Sequence, residues 1–470
     1  MKFYITNAIP YVNAKPHIGH ALEFIQSDTI ARFHKLKGDE TLLLCGGDEN
    51  SLKNVQAAEE AGIEVQTLVD KNATLFEELA KKLNVKFDVF QKGSSKEHHI
   101  SSQKLWELCS KDIYKKSYKG LYCIGCETFY TKNELDENGE CFEHPGKKLE
   151  EVEEENYFFA LSKYQEKLIQ IIESGEYKVV PEFRKNEVLS FIKSGLQDIS
   201  ISRSNERAKN WGVPVPGDEN QRIYVWFDAL NIYQSGVGFG WDAEKYKKWW
   251  PANLHVIGKG IIRFHAVYWP AILLSAGLQL PEELFVHEYF TVNGQKMSKT
   301  LKNVYDPNIA IEKYGTDGLR YFCLAKISPF QDGDFSEEKL QESYNSDLAN
   351  GLGNLVARVA KLCETHSVTS NDSEKSLEFD PKMITYLEAY KFNEALNHIW
   401  GEISAADKKV NEEKPWELSG EKLNEVLQDL IQKIQHIAYN LQPFLPETSE
   451  KILKQFSGQI KSAAPLFPRI

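Results

Sequence analysis

The chain has 470 residues, 42% of them hydrophobic and 26% charged, with a net charge of −12. Such a length exceeds one ordinary core, so roughly two to four domains are expected, and the composition excludes disordered and fibrous classes. No apolar run is long enough for a bilayer and no secretory leader is evident, which predicts a cytoplasmic chain with no membrane association. The acidic balance gives no general attraction to nucleic acid but leaves room for a local basic groove. Seven cysteines, four of them isolated (Cys45, Cys109, Cys323 and Cys363), argue against a disulfide framework.

In chain order, residues 2–6 (KFYIT) read as a strand. Residues 18–37 follow as a helix, with Ile18, Leu22, Ile25, Thr29, Phe33 and Leu36 at spacings of three and four and Gly38 as its stop. Residues 41–47 (TLLLCGG) form a buried strand, so a strand–helix–strand unit with a parallel pair is implied. Ligands of such sheets bind at the carboxyl ends of the strands. His17 and His20 (PHIGH) come after the first strand and Asp48 and Glu49 after the second, hence at one edge. The histidines straddle a helix start, where N–H groups and the helix dipole favour phosphate, and Gly19 permits close approach. The plainer reading is a pair of helix-capping histidines.

The pattern resumes with strands expected at 222–230 (RIYVWFDAL) and 254–260, a helix over 261–277 despite Pro270, and a strand over 284–292. A tight Asn293-Gly294 turn then delivers residues 295–300 (QKMSKT). A nucleotide-type α/β domain is thus split by an insertion of roughly a hundred residues. Inside it, Cys123 and Cys126 form C-x2-C, and Cys141 and His144 follow after fourteen residues as C-x2-H. Four N/S donors close a tetrahedral zinc shell, so one structural zinc is expected. From about residue 336 amphipathic helices take over. Leu348, Leu352, Leu355, Val356 and Val359 make one stripe, and helices are expected near 382–409, 420–441 and 446–456, as a bundle.

HIGH after the first strand and KMSKT after a late hairpin resemble the paired signature of class I aminoacyl-tRNA synthetases. NAIPYVNAKPHIGHALEFIQSDTIARF, GVPVP, YVWFDAL, GKGIIRFHAVYWPAILLSAG and KPWEL resemble the methionyl members of that family in particular. The resemblance implies a Rossmann-type parallel-sheet catalytic domain split by a zinc-binding insertion and followed by an α-helix-bundle anticodon-binding domain. The corresponding boundaries are 1–115 and 222–290 for the catalytic halves, 116–221 for the insertion, 291–345 for the KMSKS-loop region and 346–470 for the bundle. It implies activation of L-methionine by ATP with Mg²⁺, then transfer to tRNA(Met).

By the same resemblance His17, Gly19, His20, Lys296, Met297, Ser298 and Lys299 bind ATP, with His17, His20, Lys296 and Lys299 catalytic. Ala8, Ile9, Tyr11, Trp226, Ala229, Tyr233, Ile261 and His265 surround the methionine side chain, which suits an apolar, polarizable group. Asp48 holds its ammonium, while Asp228 and Lys259 are left without a role. Asn354, Arg358 and Trp416 read the anticodon, the indole by stacking. The lack of a module after Ile470 points to a monomer. Asn50 and Ser51 depart from the family's usual His-Gly, Gly260 from a frequent aspartate, Thr300 from serine and Lys302 from glycine. Rival readings are a non-catalytic tRNA-binding paralogue, a cysteine or leucine specificity of the same class, and a free-standing nucleotidylyltransferase.

Overall fold

The computed structural model describes all residues except 124–127, 131–134, 142–145, 147, 298–302 and 371–376. It divides into two compact units. The first comprises Met1–Lys15, Glu40–Glu78 and Phe87–His287, and the second Pro16–Asp39, Leu79–Lys86 and Glu288–Ile470.

The first unit is organised on a six-stranded sheet of β1 (Lys2–Asn7), β2 (Glu40–Gly47), β3 (Val89–Lys92), β4 (Lys178–Val180), β5 (Leu254–Gly258) and β6 (Glu283–His287). Their order is β3-β2-β1-β5-β6-β4, and every pairing is parallel. Six consecutive residues of β2 and all five of β5 are buried, the continuous apolar run of strands covered on both faces. The order reverses between β1 and β5, which makes their carboxyl ends the topological switch point. There the ladder is prolonged: Ala8 N donates to the Val256 carbonyl at 3.0 Å, and Tyr11 bridges Asp48 in parallel sense.

The stretch read as an insertion forms an antiparallel sheet of Thr128–Tyr130, Ile113–Cys123, Glu150–Phe159 and Ile199–Ser200. A smaller sheet joins Pro214–Val215, Asp218–Ile223 and Ser202–Ser204. The same stretch supplies β4, the edge of the parallel sheet.

In the second unit, α1 (Ile18–Leu36) is anchored by a buried ion pair. Arg320, fully buried, meets Asp28 at 2.8 Å and donates to the carbonyls of Phe444, Pro443 and Leu83. A guanidinium is stable there because each of its nitrogens finds an acceptor. The bundle comprises α5 (Asn354–Thr365), α6 (Pro381–Glu388), α7 (Phe392–Glu413), α8 (Gly420–Leu441) and α9 (Pro446–Gln455). Leu348, Leu352, Leu355, Val356 and Val359 are all buried, as their stripe requires.

Four expected elements need correction. Residues 222–230 are not one strand: strand Asp218–Ile223 ends and α2 (Val225–Leu230) and α3 (Ile232–Ser235) begin. An aromatic-rich run imitates a strand, but the spacing of Trp226, Ala229 and Tyr233 is helical. Residues 284–292 are β6 and a separate strand, Phe290–Val292, which pairs with Gln295–Lys296 and Gly333–Phe335 instead. One apolar run conceals that change of sheet. The expected helix 261–277 is a 3₁₀ turn, a π turn (Phe264–Tyr268) and α4 (Trp269–Ala276), with Pro270 in the first turn of α4, where a missing N–H is tolerated. Residues 382–409 are divided between α6 and α7 by Tyr390, whose φ is +57°.

Candidate active site

The two histidines cap their own helix. His17 is the N-cap of α1: its Nδ1 accepts from Gly19 N at 3.1 Å, and its own N–H donates to His20 Nδ1 at 3.1 Å. The imidazoles lie 3.9 Å apart, centre to centre. Since both Nδ1 atoms accept, a neutral ring carries its proton on Nε2. Desolvation, then the neighbouring His17, holds His20 well below its ordinary value, so it is neutral at pH 7. The expectation that main-chain N–H groups await phosphate here is revised. Ile18 N donates to the Tyr305 carbonyl at 3.1 Å, and Gly19, His20 and Ala21 bond to His17.

The late loop returns to this helix start. The Asn293-Gly294 turn has φ of +52° and +74°, the left-handed pair that a two-residue hairpin needs. A Cβ on Gly19 would lie 3.0 Å from His17 Cε1 and 3.3 Å from Met297 Cε. A side chain at this position would crowd the histidine ring and the loop methionine, both of which would have to give way. Ser298 and Lys299 lie outside the described residues, as do Thr300 and Lys302, and Lys296 is described only as part of strand Gln295–Lys296.

In the first unit the expected methionine-contacting residues gather at the switch point. Trp226 stacks on Phe264 with centroids 3.7 Å apart and planes 5° from parallel, and Tyr11 meets Trp226 edge-on at 6.1 Å. Lys53 Nζ sits 3.8 Å over the Tyr11 ring. Tyr233 Oη lies 2.7 Å from His265 Nε2, and His265 Nδ1 lies 2.9 Å from the Ile261 carbonyl. A carbonyl only accepts, so Nδ1 carries the proton and Nε2 accepts from the tyrosine. Burial pushes His265 down to about 4, against the modest opposing effect of the Ile261 bond. Ala8 and Ala229 are buried and Ile9 packs against the same core. Trp269 is plain core, fully buried.

Asp48 is buried, its N–H donating to the Pro10 carbonyl at 2.9 Å. Asp228 is buried too and accepts from His98 Nε2 (2.8 Å), Ser102 Oγ (2.6 Å) and Asn50 Nδ2 (2.6 Å). Burial alone would raise its carboxyl, but His98 and these donors hold it below the ordinary range. Sequence reading missed His98, Ser102 and Phe264. Only Phe264 had a signal, three residues after Ile261 in a helical stretch.

Cys123 and Cys141 are buried, with sulfurs 3.2 Å apart and no disulfide. That exceeds a disulfide bond of ~2.05 Å and is shorter than the ~3.8 Å edge that tetrahedral Zn–S bonds of ~2.3 Å give. Two thiols brought this close fit a shared metal; Cys126 and His144 lie outside the described residues.

In the second unit, Arg358 donates to Asp407 at 2.6 Å and Asn411 at 2.8 Å. Those two acceptors, with Asn350, Gly351 and Lys408, line a concavity of about 400 Å³. Asn354 is exposed at the start of α5. Trp416, in the turn Pro415–Glu417, is 52% exposed, which disfavours a bundle-capping role. It is not among the residues lining that concavity. Among the described residues no helix is long and apolar enough to cross a membrane.

Known proteins resemble this chain throughout. A profile of the family described as tRNA synthetases class I (M) matches residues 3–360. A methionine–tRNA ligase of Thermotoga maritima is 40% identical, over 98% of this chain and 76% of the relative. One of Rhizobium meliloti is 41% identical, over 96% and 91%. The crystal structure of Mycobacterium tuberculosis methionyl-tRNA synthetase bound by methionyl-adenylate superimposes with a TM-score of 0.92 at 35% identity, covering all of both chains. With its parallel sheet, its histidine-capped helix start and its glycine pressed against the loop methionine, this chain belongs to the class I tRNA synthetases, in their methionine branch.

Proposed function

We propose that the chain has methionine–tRNA ligase activity: it joins L-methionine to ATP and passes the methionyl group to the 3′-terminal ribose of tRNA(Met). The observation that carries this is the 40% identity to a ligase of that activity across 98% of the chain.

In the first step the methionine carboxylate attacks the α-phosphorus of ATP and pyrophosphate leaves. No protein nucleophile is needed, so catalysis is positioning and charge stabilisation. His17 and His20, with their protons on Nε2, suit donation to phosphate oxygens as charge builds up. Met297 and Gly19 belong to the same ATP surface, with Ser298. Lys296 and Lys299 neutralise the departing pyrophosphate, and Mg²⁺ accompanies ATP.

Trp226 and Tyr11, with Ala8, Ile9, Ala229, Tyr233, Ile261 and His265, enclose the thioether side chain. Because His265 is uncharged and donates its only proton to a carbonyl, this wall offers an apolar substrate no competing cation. Asp48 holds the ammonium. One structural zinc sits on Cys123, Cys126, Cys141 and His144, where it fixes two loop ends and takes no part in the chemistry. Asn354, Arg358 and Trp416 contact the anticodon, with Arg358 pre-positioned by Asp407 and Asn411. The six described cysteines are all free thiols, which suits a reducing cytoplasm.

Charging of a tRNA(Met) transcript with labelled methionine tests the reading. Charging that disappears when the anticodon is changed supports it. Binding of tRNA without any charging would support the paralogue instead. Elemental analysis of the same protein is expected to give about one zinc per chain.

A further inference from the structure

A cluster of metal-ligating side chains in the second unit has no part in the chemistry above. Asp380, His398 and Glu402 each offer one ligand atom, and these atoms lie within 4.8 Å of one another. His398 and Glu402 stand four apart on α7, so they share one face of that helix. Asp380 is the N-cap of α6. From α8, His436 places its Nε2 3.7 Å from Glu402 Oε1. Three helices of the bundle thus meet at one spot: α6 through Asp380, α7 through His398 and Glu402, and α8 through His436.

These groups do not balance one another. Among the described residues neither carboxylate has a lysine or arginine within 4.0 Å, and their ion-pair contacts are the two imidazoles alone. Carboxylates that converge without a cation repel each other, and a bound divalent ion reverses that term. His398 Nε2 lies 3.3 Å from Asp380 Oδ1. It is buried, yet among the described residues it makes no aligned hydrogen bond. Asp380 builds its helix cap with Oδ1, which accepts from Lys382 N at 2.7 Å and Met383 N at 3.4 Å, and so keeps Oδ2 for a ligand.

The geometry suits an ion. The 3.3 Å between imidazole and carboxylate is close to the ~3.4 Å edge that tetrahedral bonds of ~2.1 Å give. Asp380, His398 and Glu402 have side chains 23%, 22% and 29% exposed, so an ion can enter from solvent and keep water as its remaining ligand. Buried Asn440 fixes the surroundings: its Oδ1 accepts from Asp380 N at 2.9 Å, and its Nδ2 donates to the His436 carbonyl at 2.9 Å. A mixed nitrogen and oxygen set selects a transition ion over Mg²⁺ or Ca²⁺, which take oxygen ligands. We propose that Asp380, His398 and Glu402 bind a divalent transition ion of the zinc class, which staples the start of α6 to α7. The inference does not rest on the ligase reading, and its ligands differ in kind from the thiols of Cys123 and Cys141.

The test uses the full chain, purified without added metal, with Zn²⁺ as the probe in a calorimetric titration. Zinc already held is first counted by elemental analysis. About one further Zn²⁺ per chain is then expected to bind. His398→Ala and Glu402→Gln are each expected to weaken that binding about tenfold or more. Added Zn²⁺ should raise the melting temperature of the unaltered chain and leave that of Glu402→Gln where it was. Co²⁺ taken up in place of the added Zn²⁺ should show the visible bands of a nitrogen and oxygen site, with no sulfur-to-cobalt charge-transfer band.

No uptake beyond the zinc already counted, or uptake unchanged in both variants, would overturn the proposal. A charge-transfer band from the added Co²⁺ would overturn it too, because the ion would then sit on cysteine. Should His398→Ala fail to fold, Glu402→Gln decides alone, since it keeps the shape of a partly exposed side chain. Aminoacylation is no part of the readout, so failure of the ligase reading and failure of this one are told apart.

Discussion

The aromatic wall around Trp226 and an arginine cleft around Arg222 lie next to each other in the first unit and are built on opposite terms. In the wall the polar groups satisfy one another: tyrosine hydroxyl to imidazole, imidazole to carbonyl, with His265 neutral at physiological pH. In the cleft, two arginines face each other and, among the described residues, their buried Nε atoms have no acceptor. One region has completed its hydrogen bonding internally and offers surface and shape. The other sets charged donors side by side.

The sharpest way to break the contrast is Trp226→Ala. It removes the ring stacked on Phe264, and the KM for methionine in pyrophosphate exchange is expected to rise about a hundredfold, as ~3 kcal/mol of lost aromatic contact implies. The KM for tRNA should hardly move. Parallel rises in both would mean general disruption rather than a dedicated wall.

Stability against pH probes the neutrality of the wall. His265 has a folded value of about 4 against an ordinary 6.5. Between those values the unfolded chain binds more protons, so stability falls as pH drops below about 6.5 and the loss levels off near 4. For this residue the full window is on the order of 3 kcal/mol. His20 and His255, both held well below 6.5 by burial first, shift stability in the same direction. Urea unfolding at pH 7 and pH 5 reads the sum, and equal midpoints would show that these imidazoles are not buried neutral.

Trp416→Ala should raise the KM for tRNA about tenfold, from ~1–3 kcal/mol of base stacking, and leave exchange as it was. Unaltered charging would return this exposed indole to an ordinary surface role. Tyr233→Phe is the mildest change. It takes away the donor to His265 Nε2, at a cost of about 1 kcal/mol, and should raise the imidazole's titration point, visible in its NMR shift. An unmoved titration would mean that Nε2 has another donor.

Much of this was legible in the chain because the chemistry sits in linear motifs. Four of the six parallel strands, β1, β2, β5 and β6, read as apolar-rich runs, whereas β3, a half-buried VFQK, and the three-residue β4 carried no such signal. His17, Gly19 and His20 stood at a helix start, and Asn293-Gly294 marked the hairpin. What could not be read depends on pairings across sequence. Nothing local says that Arg203 and Arg222 stand opposite each other, that Asp28 meets Arg320, or that Phe264 lies flat on Trp226. Residues 222–230 misled because aromatic residues favour strands in general, whereas here burial against the core selects a helical face. The capping role of the histidines was visible as an alternative, and each Nδ1 does accept a main-chain N–H at the helix start.

Amino-acid-dependent exchange of labelled pyrophosphate into ATP, run with each of the twenty amino acids, tests the ligase activity most directly. Rapid exchange with methionine, little with leucine or cysteine, and a loss of at least a hundredfold in His20→Ala with methionine affinity preserved is the predicted result. Exchange with a different amino acid, or a His20→Ala variant that only binds methionine less tightly, would contradict it.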